Sequence, residues 1–360
     1  MSKVMRQKIR EQNKKRELVN REWYSLRSLI GNDWAIFFLL CGGREIGKSY
    51  AVDKLYLNQY RKYGRPFYWL RLTADSARKL LKNDAEKLID ADLRRKYNIN
   101  RLEVIGESVY EVTKEDKTGK ILEKKLMARV LALSTFYSDK GNAYFDNEFL
   151  NDPNMYYNIC FDEMNREKGE KNSFDIVYSF TNQLENLVRS TKKRIRVICI
   201  GNTLDEASDL LAAFNFIPEE FGRYYLKSKR AVVDYIEPTE AYLERRKGTI
   251  ADILMPTAST FTNKIESDRS LVLKKRLTHP LYVIQFYKDE KFTVWNDNII
   301  REYSGQNCPV RAMRPYQDCN FHVEYRDEVI AQFDARNFKF YTLIDYKKFK
   351  KALEMLKPRK

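Results

Sequence analysis

The residues best suited to chemistry in this sequence form a glycine-rich stretch, GGREIGKS, at positions 42–49. The stretch matches G-x-x-x-x-G-K-[ST] in full, and it lies between an apolar run and a helical pattern, as this motif requires. Glycines permit backbone angles that side chains forbid, and they lack the Cβ atoms that would keep backbone N–H groups from wrapping a phosphate. The positive end of the following helix points at the same anion. The stretch predicts a site for the phosphates of a nucleotide.

Individual residues of this loop have expected roles. We expect Lys48, as a catalytic and binding residue, to reach the β- and γ-phosphates, and the Ser49 hydroxyl to ligate Mg²⁺. The predicted nucleotide-binding residues are Gly42, Gly43, Arg44, Glu45, Ile46, Gly47, Lys48, Ser49 and Tyr50.

A second apolar run, NICFDE at 158–163, supplies what hydrolysis requires beyond binding. We expect Asp162, at the tip of a strand, to hold the Mg²⁺ water shell, and Glu163 to orient and polarise the attacking water. The alternative is a strand that ends in two solvated acids, but the loop upstream favours the functional interpretation. The predicted metal ligands are Ser49 and Asp162.

The adjacent Asp-Glu pair also indicates which nucleotide binds. GTPases use D-x-x-G together with N-K-x-D, and the near match to the latter here, NKIE at 263–266, lies beyond the sheet and ends in Glu. The sequence therefore favours ATP over GTP, with Mg²⁺ as the second cofactor.

A third buried strand, RVICIGN, ends on Asn202. We expect Asn202 to lie level with Asp162, where it would sense the γ-phosphate or the attacking water. A turn asparagine without such a role is the alternative.

Arg189, at the end of a predicted helix, is a candidate for a neighbouring subunit's site. Ring ATPases commonly donate such an arginine to the γ-phosphate bound by the next subunit, where it supplies charge at the transition state. Lys193 and Arg194 compete for this role, and a solvated basic cluster is the alternative.

The elements that must position these residues alternate along the chain. Predicted strands are 34–41, 67–72, 156–161 and 194–202, predicted helices are 48–62, 74–97 and 174–188, and hairpins are predicted at 101–135 and 282–295. Strands interleaved with helices predict an α/β fold with a mainly parallel sheet.

Changes in composition along the 360 residues predict the organisation of the chain. A chain of this length favours two domains. We predict a basic, solvated N-terminal helix (1–30) whose last turns dock on the body, a nucleotide-binding domain (31–208), a linker region (209–248) and a smaller α+β domain (249–360).

Composition also restricts the partners. The formal net charge of +16 favours a polyanion, above all nucleic acid. No base-reading motif is apparent, so we expect a sequence-nonspecific grip on the phosphate backbone. The five scattered cysteines fit small core residues of a reducing compartment. With no apolar run of membrane-spanning length and no export signal, we expect a soluble, cytosolic chain without a membrane partner.

Five stretches together resemble a known family: GGREIGKSY, FYWLRL, SDKGNAY, ICFDEMNREK and RIRVICIGN. They are similar to the genome-packaging ATPases of small short-tailed (picovirus-type) phages, which are relatives of large-terminase motors and of FtsK/HerA translocases. The resemblance is densest over 34–205. It implies a P-loop ATPase of the ASCE, RecA/FtsK-like class.

The resemblance further implies a homo-pentameric ring at the portal vertex of a procapsid in the host cytoplasm, pumping double-stranded DNA inward with ATP. It implies that Arg44 helps to couple nucleotide state to motion, which places Arg44 among the catalytic candidates. It also implies that charged loops near Lys140 face the DNA, although an ordinary loop lysine is the alternative at this position.

In this family the C-terminal domain resembles an RNase H-like nuclease, whose chemistry needs clustered carboxylates that hold two metals. Here the first strand of the second hairpin offers Gln285 where an aspartate is expected, and Asp289 and Glu290 fall in the turn. The hypothesis is a vestigial nuclease domain that does not cut.

Two other functions remain open from sequence. One is an FtsK/HerA-like DNA translocase or helicase that is not tied to a capsid. The other is a non-hydrolysing, nucleic-acid-binding structural protein, against which the intact Lys48, Ser49, Asp162 and Glu163 argue.

Overall fold

The computed structural model describes residues 22–115, 120–136, 156–165, 174–188, 194–202, 208–254, 269–286, 290–313 and 325–356. The chain divides into two compact units. The first comprises Met1–Asp205 and Pro218–Ile265, and the second comprises Glu206–Ile217 and Glu266–Lys360. No helix in the described ranges is long and apolar enough to span a bilayer.

The strands of the first unit are β1 (Phe37–Cys41), β2 (Phe67–Arg71), β3 (Leu102–Ile105), β4 (Ser108–Lys114), β5 (Ile121–Ala132), β6 (Tyr156–Asp162), β7 (Arg194–Gly201), β8 (Gly222–Leu226) and β9 (Ala231–Tyr235). They form one nine-stranded sheet in the order β3-β4-β5-β2-β6-β7-β1-β9-β8. The six strands from β5 to β9 in that order run parallel, and β3, β4 and β8 pair antiparallel at the two edges. The predicted α/β class with a mainly parallel sheet is confirmed.

The helices in the described residues are α1 (Lys48–Tyr63), α2 (Ala74–Ala85), α3 (Ala91–Lys96), α4 (Ile176–Val188), α5 (Asp209–Ala213), α6 (Glu240–Arg246), α7 (Ile250–Leu254), α8 (Tyr325–Asp334) and α9 (Leu343–Leu356). Helices cover both faces of the large sheet. Cys160 of β6 packs into the same core cluster as Tyr56 of α1, whereas the neighbouring Phe161 stacks on Phe180 of α4 with ring centroids 4.9 Å apart. Successive strand residues point to opposite faces, so α1 and α4 lie on opposite sides of the sheet.

The described part of the predicted N-terminal helix, 22–30, forms turns rather than a helix. Leu26 and Leu29 are buried in the core of the first unit, as the predicted docking requires. The Tyr24 N–H also donates to the Ile46 carbonyl at 2.9 Å. These tertiary contacts override the local helical tendency, which is only a weak preference. Residues 1–21 lie outside the described residues.

The stretch 209–248, predicted as a linker region, instead contains two strands of the large sheet. β9 pairs parallel with β1, and β8, which precedes β9 in the chain, pairs antiparallel with it. All five residues of β9, AVVDY, are buried. The run was missed because it is short and follows the exposed basic turn at 227–230. The boundary predicted at 249 therefore differs from that of the compact units, because Pro218–Ile265 belong to the first.

The second unit has its own sheet. Its strands are β10 (Pro280–Gln285), β11 (Lys291–Trp295), β12 (Ile299–Glu302), β13 (Val310–Ala312) and β14 (Lys339–Phe340), in the order β13-β10-β11-β12-β14. β10 and β11 form the predicted hairpin. The core is phenylalanine-rich, and Phe349 of α9 meets Phe286 and Phe292 edge to face, with ring centroids 5.1 and 5.2 Å away.

Candidate nucleotide site

The glycine-rich loop connects β1 to α1 at the carboxyl edge of the large sheet. Glu45 (φ 62°) and Gly47 (φ 92°) adopt left-handed backbone conformations. A Cβ atom added to Gly47 would lie 3.1 Å from Cε3 of Trp23, so both the backbone angle and the available space favour glycine there. Of the three glycines of the loop, Gly47 is therefore the one with a left-handed backbone.

Lys48 is buried inside this loop, with only 5% of its surface exposed. Its Nζ donates to the carbonyl oxygens of Gly42 at 2.8 Å and Gly43 at 2.5 Å. Burial lowers the pKa of Lys48 to about 8, although the Asp162 carboxylate acts in the opposite direction. The role of Lys48 in binding the β- and γ-phosphates remains a prediction.

Asp162 and Glu163 lie at the end of β6, two strands away from the loop. Glu163 has a left-handed backbone (φ 57°), and its N–H donates to Oδ1 of Asp162 at 3.1 Å. The Asp162 side chain is 13% exposed and the Glu163 side chain 47%. The more exposed carboxylate is the one predicted to act on water.

Arg71, the last residue of β2, binds both of these carboxylates. Its Nη1 lies 2.6 Å from Oδ2 of Asp162, and its Nη2 lies 2.8 Å from Oε2 of Glu163. Sequence reasoning missed this residue. Its position at the end of the otherwise apolar run FYWL was the available signal, because a buried strand tolerates an arginine only where acids neutralise it.

Asn202 follows β7, which lies between β1 and β6. In the strand register, Ile200 is opposite Asp162 and Gly201 is opposite Cys41, so Asn202 emerges at the edge that holds the loop and the carboxylates. The loop after Glu163 also crosses this point, since the Met164 N–H donates to the Ile200 carbonyl at 2.9 Å. The role of Asn202 remains a prediction.

The remaining predicted residues of the loop lie in or beside it. Ser49 is exposed on the first turn of α1, Tyr50 is half-buried beside it, and the Arg44 side chain is exposed. Asp53, one turn after Ser49, is buried, and that burial and the nearby Asp162 charge raise the pKa of its carboxyl group. Sequence reasoning missed Asp53.

The oxygen donors present suit Mg²⁺. Among the described residues, no group of three or more His, Cys, Asp and Glu side chains is arranged to hold a metal ion by itself. Ser49 and Asp162 would supply two oxygen ligands, and Mg²⁺ usually takes one or two protein ligands, with phosphate oxygens and water completing its shell. The residues therefore fit a metal that enters with a nucleotide.

Two predicted site residues, Lys140 and Arg189, lie outside the described residues, as does Lys193. Arg194, the other competitor of Arg189, is the first residue of β7 and lies 5.7 Å from the ring centroid of Tyr156. It is at the opposite end of that strand from Asn202, away from the loop of its own chain.

Solved structures of phage motors share the fold of this chain. A structure of the bacteriophage phi29 genome-packaging motor assembly aligns with a TM-score of 0.63 and 20% identity, covering 94% of this chain and 100% of that one. A structure of the Phi-28 gp11 DNA-packaging motor aligns with a TM-score of 0.63 and 16% identity over the same shares.

Curated relatives match most of the sequence. The DNA packaging protein of Bacillus phage phi29 is 25% identical over 281 residues, which are 76% of each chain. That of Bacillus phage B103 is 22% identical over 273 residues, 75% of this chain and 76% of the relative. The family model for podovirus DNA encapsidation proteins (Gp16) matches residues 20–327. This match spans most of the chain and confirms the resemblance read from the motifs, and the chain belongs to the podovirus Gp16 DNA encapsidation family.

Proposed function

We propose that this protein is an ATP-driven motor that moves double-stranded viral DNA into a preformed procapsid as a homo-oligomeric ring. The observation that carries the proposal is the arrangement at one sheet edge, where the loop around Lys48 and the Asp162–Glu163 pair lie two strands apart. Membership of the encapsidation family and the relatives named DNA packaging proteins support the same function.

The chemical roles follow from the side chains. Bound ATP and Mg²⁺ would supply the scissile phosphoanhydride and the charge neutralisation that its cleavage requires. Lys48 would bind the β- and γ-phosphates, and Ser49 and Asp162 would hold the metal. Glu163 would accept a hydrogen bond from the attacking water and so orient and polarise it. Asn202 orients that water or contacts the γ-phosphate.

The assembly would be a pentamer at the portal vertex of the procapsid, in the host cytoplasm. Contacts between unlike faces of neighbouring subunits generate such a ring, and they allow an arginine of one subunit, for which Arg189 is the candidate, to act in the site of the next. Arg44 would couple nucleotide state to motion. Lys140 would contact the DNA backbone without reading its sequence.

The second unit would bind nucleic acid or the procapsid and would not cleave DNA. Gln285 ends β10 where a nuclease would need an aspartate, and Glu290 follows in the turn, where burial raises the pKa of its carboxyl group. A carboxyl group with a raised pKa is a poorer metal ligand. Metal-dependent nicking of a plasmid by the purified chain would contradict this proposal.

The Glu163→Gln variant tests the hydrolytic assignment. The amide keeps the size of the side chain but removes the base, so MgATP should still bind while ATP turnover falls by a factor of about 10² or more. Glu103→Gln is the matched control, because Glu103 pairs with Lys124 on the surface of the first unit. Turnover that persists in Glu163→Gln would refute the role given to Glu163.

A second measurement distinguishes packaging from the helicase alternative. ATP turnover and DNA protection from nuclease should both rise when procapsids that carry their portal are added to the parent protein and long duplex DNA. Stimulation by forked DNA with no effect of procapsids would favour the translocase or helicase that is not tied to a capsid.

A further inference from the structure

The outer side of the nucleotide loop is held by α6, which is almost 200 residues away in sequence. The carbonyl oxygen of Arg44 accepts two hydrogen bonds from this helix. Tyr242 Oη donates at 2.9 Å, and Arg246 Nη1 donates at 3.1 Å. A backbone carbonyl oxygen has two lone pairs, and two side chains of α6 donate to this one.

The next two carbonyl oxygens of the loop are also occupied from outside it. Arg245 Nη2 donates to the Glu45 carbonyl at 2.6 Å, and the Tyr24 N–H donates to the Ile46 carbonyl at 2.9 Å. Three consecutive peptide groups of the loop are thus held on their carbonyl side by segments that do not belong to it.

The α6 side chains that hold the loop are themselves fixed. Tyr242 is fully buried, and Arg246 is 5% exposed. Arg246 Nη1 also lies 3.2 Å from Tyr242 Oη and 3.6 Å from the Glu45 carboxylate. Arg245 lies over the ring of Trp23, with the guanidinium carbon 3.9 Å from the ring centroid. A buried polar cluster of this kind has few alternative rotamers.

Holding the carbonyls has a consequence for the opposite side of the loop. A peptide group is planar and trans, so fixing the C=O of one residue fixes the direction of the N–H of the next. The held carbonyls of Arg44, Glu45 and Ile46 therefore orient the N–H groups of the residues that follow each of them, which end with Gly47. In a loop of this type, these amides cradle the phosphates.

We infer that Tyr242 and Arg246 are positioning residues for the nucleotide phosphates: they hold the Arg44 peptide so that the loop amides point at the phosphate before it arrives. This inference rests on the proposed function, in which the loop binds ATP. Preorganised amides lose no orientational freedom on binding, so the contribution of α6 appears as nucleotide affinity.

Removal of the Tyr242 hydroxyl tests the inference. Loss of one hydrogen bond from the cluster should raise the Kd of both MgATP and MgADP by about 2- to 10-fold. The factor should be the same for the two nucleotides, because both carry the phosphates that the loop amides cradle. Tyr224→Phe is the matched control, since Tyr224 Oη donates to the Glu220 carbonyl at 2.7 Å, away from the loop.

Variants of Arg246 test whether it acts through the Arg44 carbonyl, to which Tyr242 also donates. Arg246→Lys keeps a charged donor and should bind ATP more tightly than Arg246→Gln. Tyr242→Phe and Arg246→Gln both act on the Arg44 carbonyl, so their combined effect on Kd should differ from the product of the single effects. Arg230→Lys, which changes a donor to the Trp34 carbonyl, is the matched arginine control and should leave Kd unchanged.

The outcomes separate a positioning role from a purely structural one. Equal losses of ATP and ADP affinity at an unchanged melting temperature support positioning. Parental Kd values in Tyr242→Phe and Arg246→Gln would overturn it, and so would affinity losses that only accompany a lowered melting temperature. A parent protein that binds no nucleotide would contradict the proposed function and the positioning role that rests on it, whereas nucleotide binding by the parent with parental Kd values in the variants would contradict the positioning role alone.

Discussion

At the scale of single residues, the site depends on an arginine between two acids. Adjacent carboxylates repel each other, and the side chain of Asp162 is largely buried. The planar guanidinium of Arg71 can present one nitrogen to each acid, which a lysine ammonium, as a point charge, does less well. Arg71 therefore neutralises the carboxylate that would hold the metal and also fixes the direction of Glu163.

Loss of the Arg71 side chain should leave Asp162 as an unpaired, mostly buried charge. We expect Arg71→Ala to lower the free energy of unfolding by about 2 kcal/mol or more. Adding Asp162→Asn should recover part of this loss, because it removes the stranded charge. Thermal and urea unfolding measure both effects. Arg78→Ala, which breaks an exposed pair with Asp75, is the control and should cost less than about 1 kcal/mol. A double variant no more stable than Arg71→Ala would contradict this explanation.

At the scale of elements, α1 positions the loop, and a left-handed glycine stands at each of its ends. Gly47 (φ 92°) precedes its first residue, and Gly64 (φ 70°) follows its last, where the Gly64 N–H donates to the Tyr60 carbonyl. Both positions have a positive φ, which glycine adopts without steric cost. They differ in what surrounds them, since only Gly47 belongs to the nucleotide loop.

The two glycines should therefore separate stability from binding. We expect Gly64→Ala to cost about 1 kcal/mol of stability through its backbone strain and to leave the Kd of ATP unchanged. Gly47→Ala should carry a similar strain and also lose nucleotide affinity, because its N–H is one of the amides aimed at phosphate and its new Cβ would approach Trp23. Melting temperatures and ATP titrations measure the two effects. Equal ATP affinities for the two variants would refute the distinction.

The elements that sequence predicted are those with a local signal. α1 was predicted over 48–62 because a motif marks its start and glycine its end, and the structure has Lys48–Tyr63. β9 was missed because five residues that follow a basic turn carry too little periodicity. The hydrogen bonds from α6 to the loop could not be predicted, because Tyr242 and Arg44 are brought together only by the pairing of β9 with β1. Local patterns specify elements, whereas such contacts depend on topology.

At the scale of the whole molecule, the relevant quantity is the net charge of +16. A motor that moves along any sequence has to hold the phosphate backbone, which every duplex presents identically. Such contacts release condensed counterions, so the affinity they provide falls with added salt. A protein that read bases would instead retain differences between sequences at each salt concentration. Charge and function thus lead to one measurable expectation.

Binding to duplex DNA should therefore be steeply salt-dependent and blind to sequence. The Glu163→Gln variant with MgATP allows this measurement, because nucleotide remains bound while turnover stops. Two long duplexes of equal length and unrelated sequence should give the same Kd, and that Kd should rise at least tenfold between roughly 50 and 200 mM salt, which corresponds to about two neutralised phosphates. A Kd that is unchanged by salt would show that backbone contacts do not dominate. A Kd that differs between the duplexes would show base reading, which the proposed motor does not require.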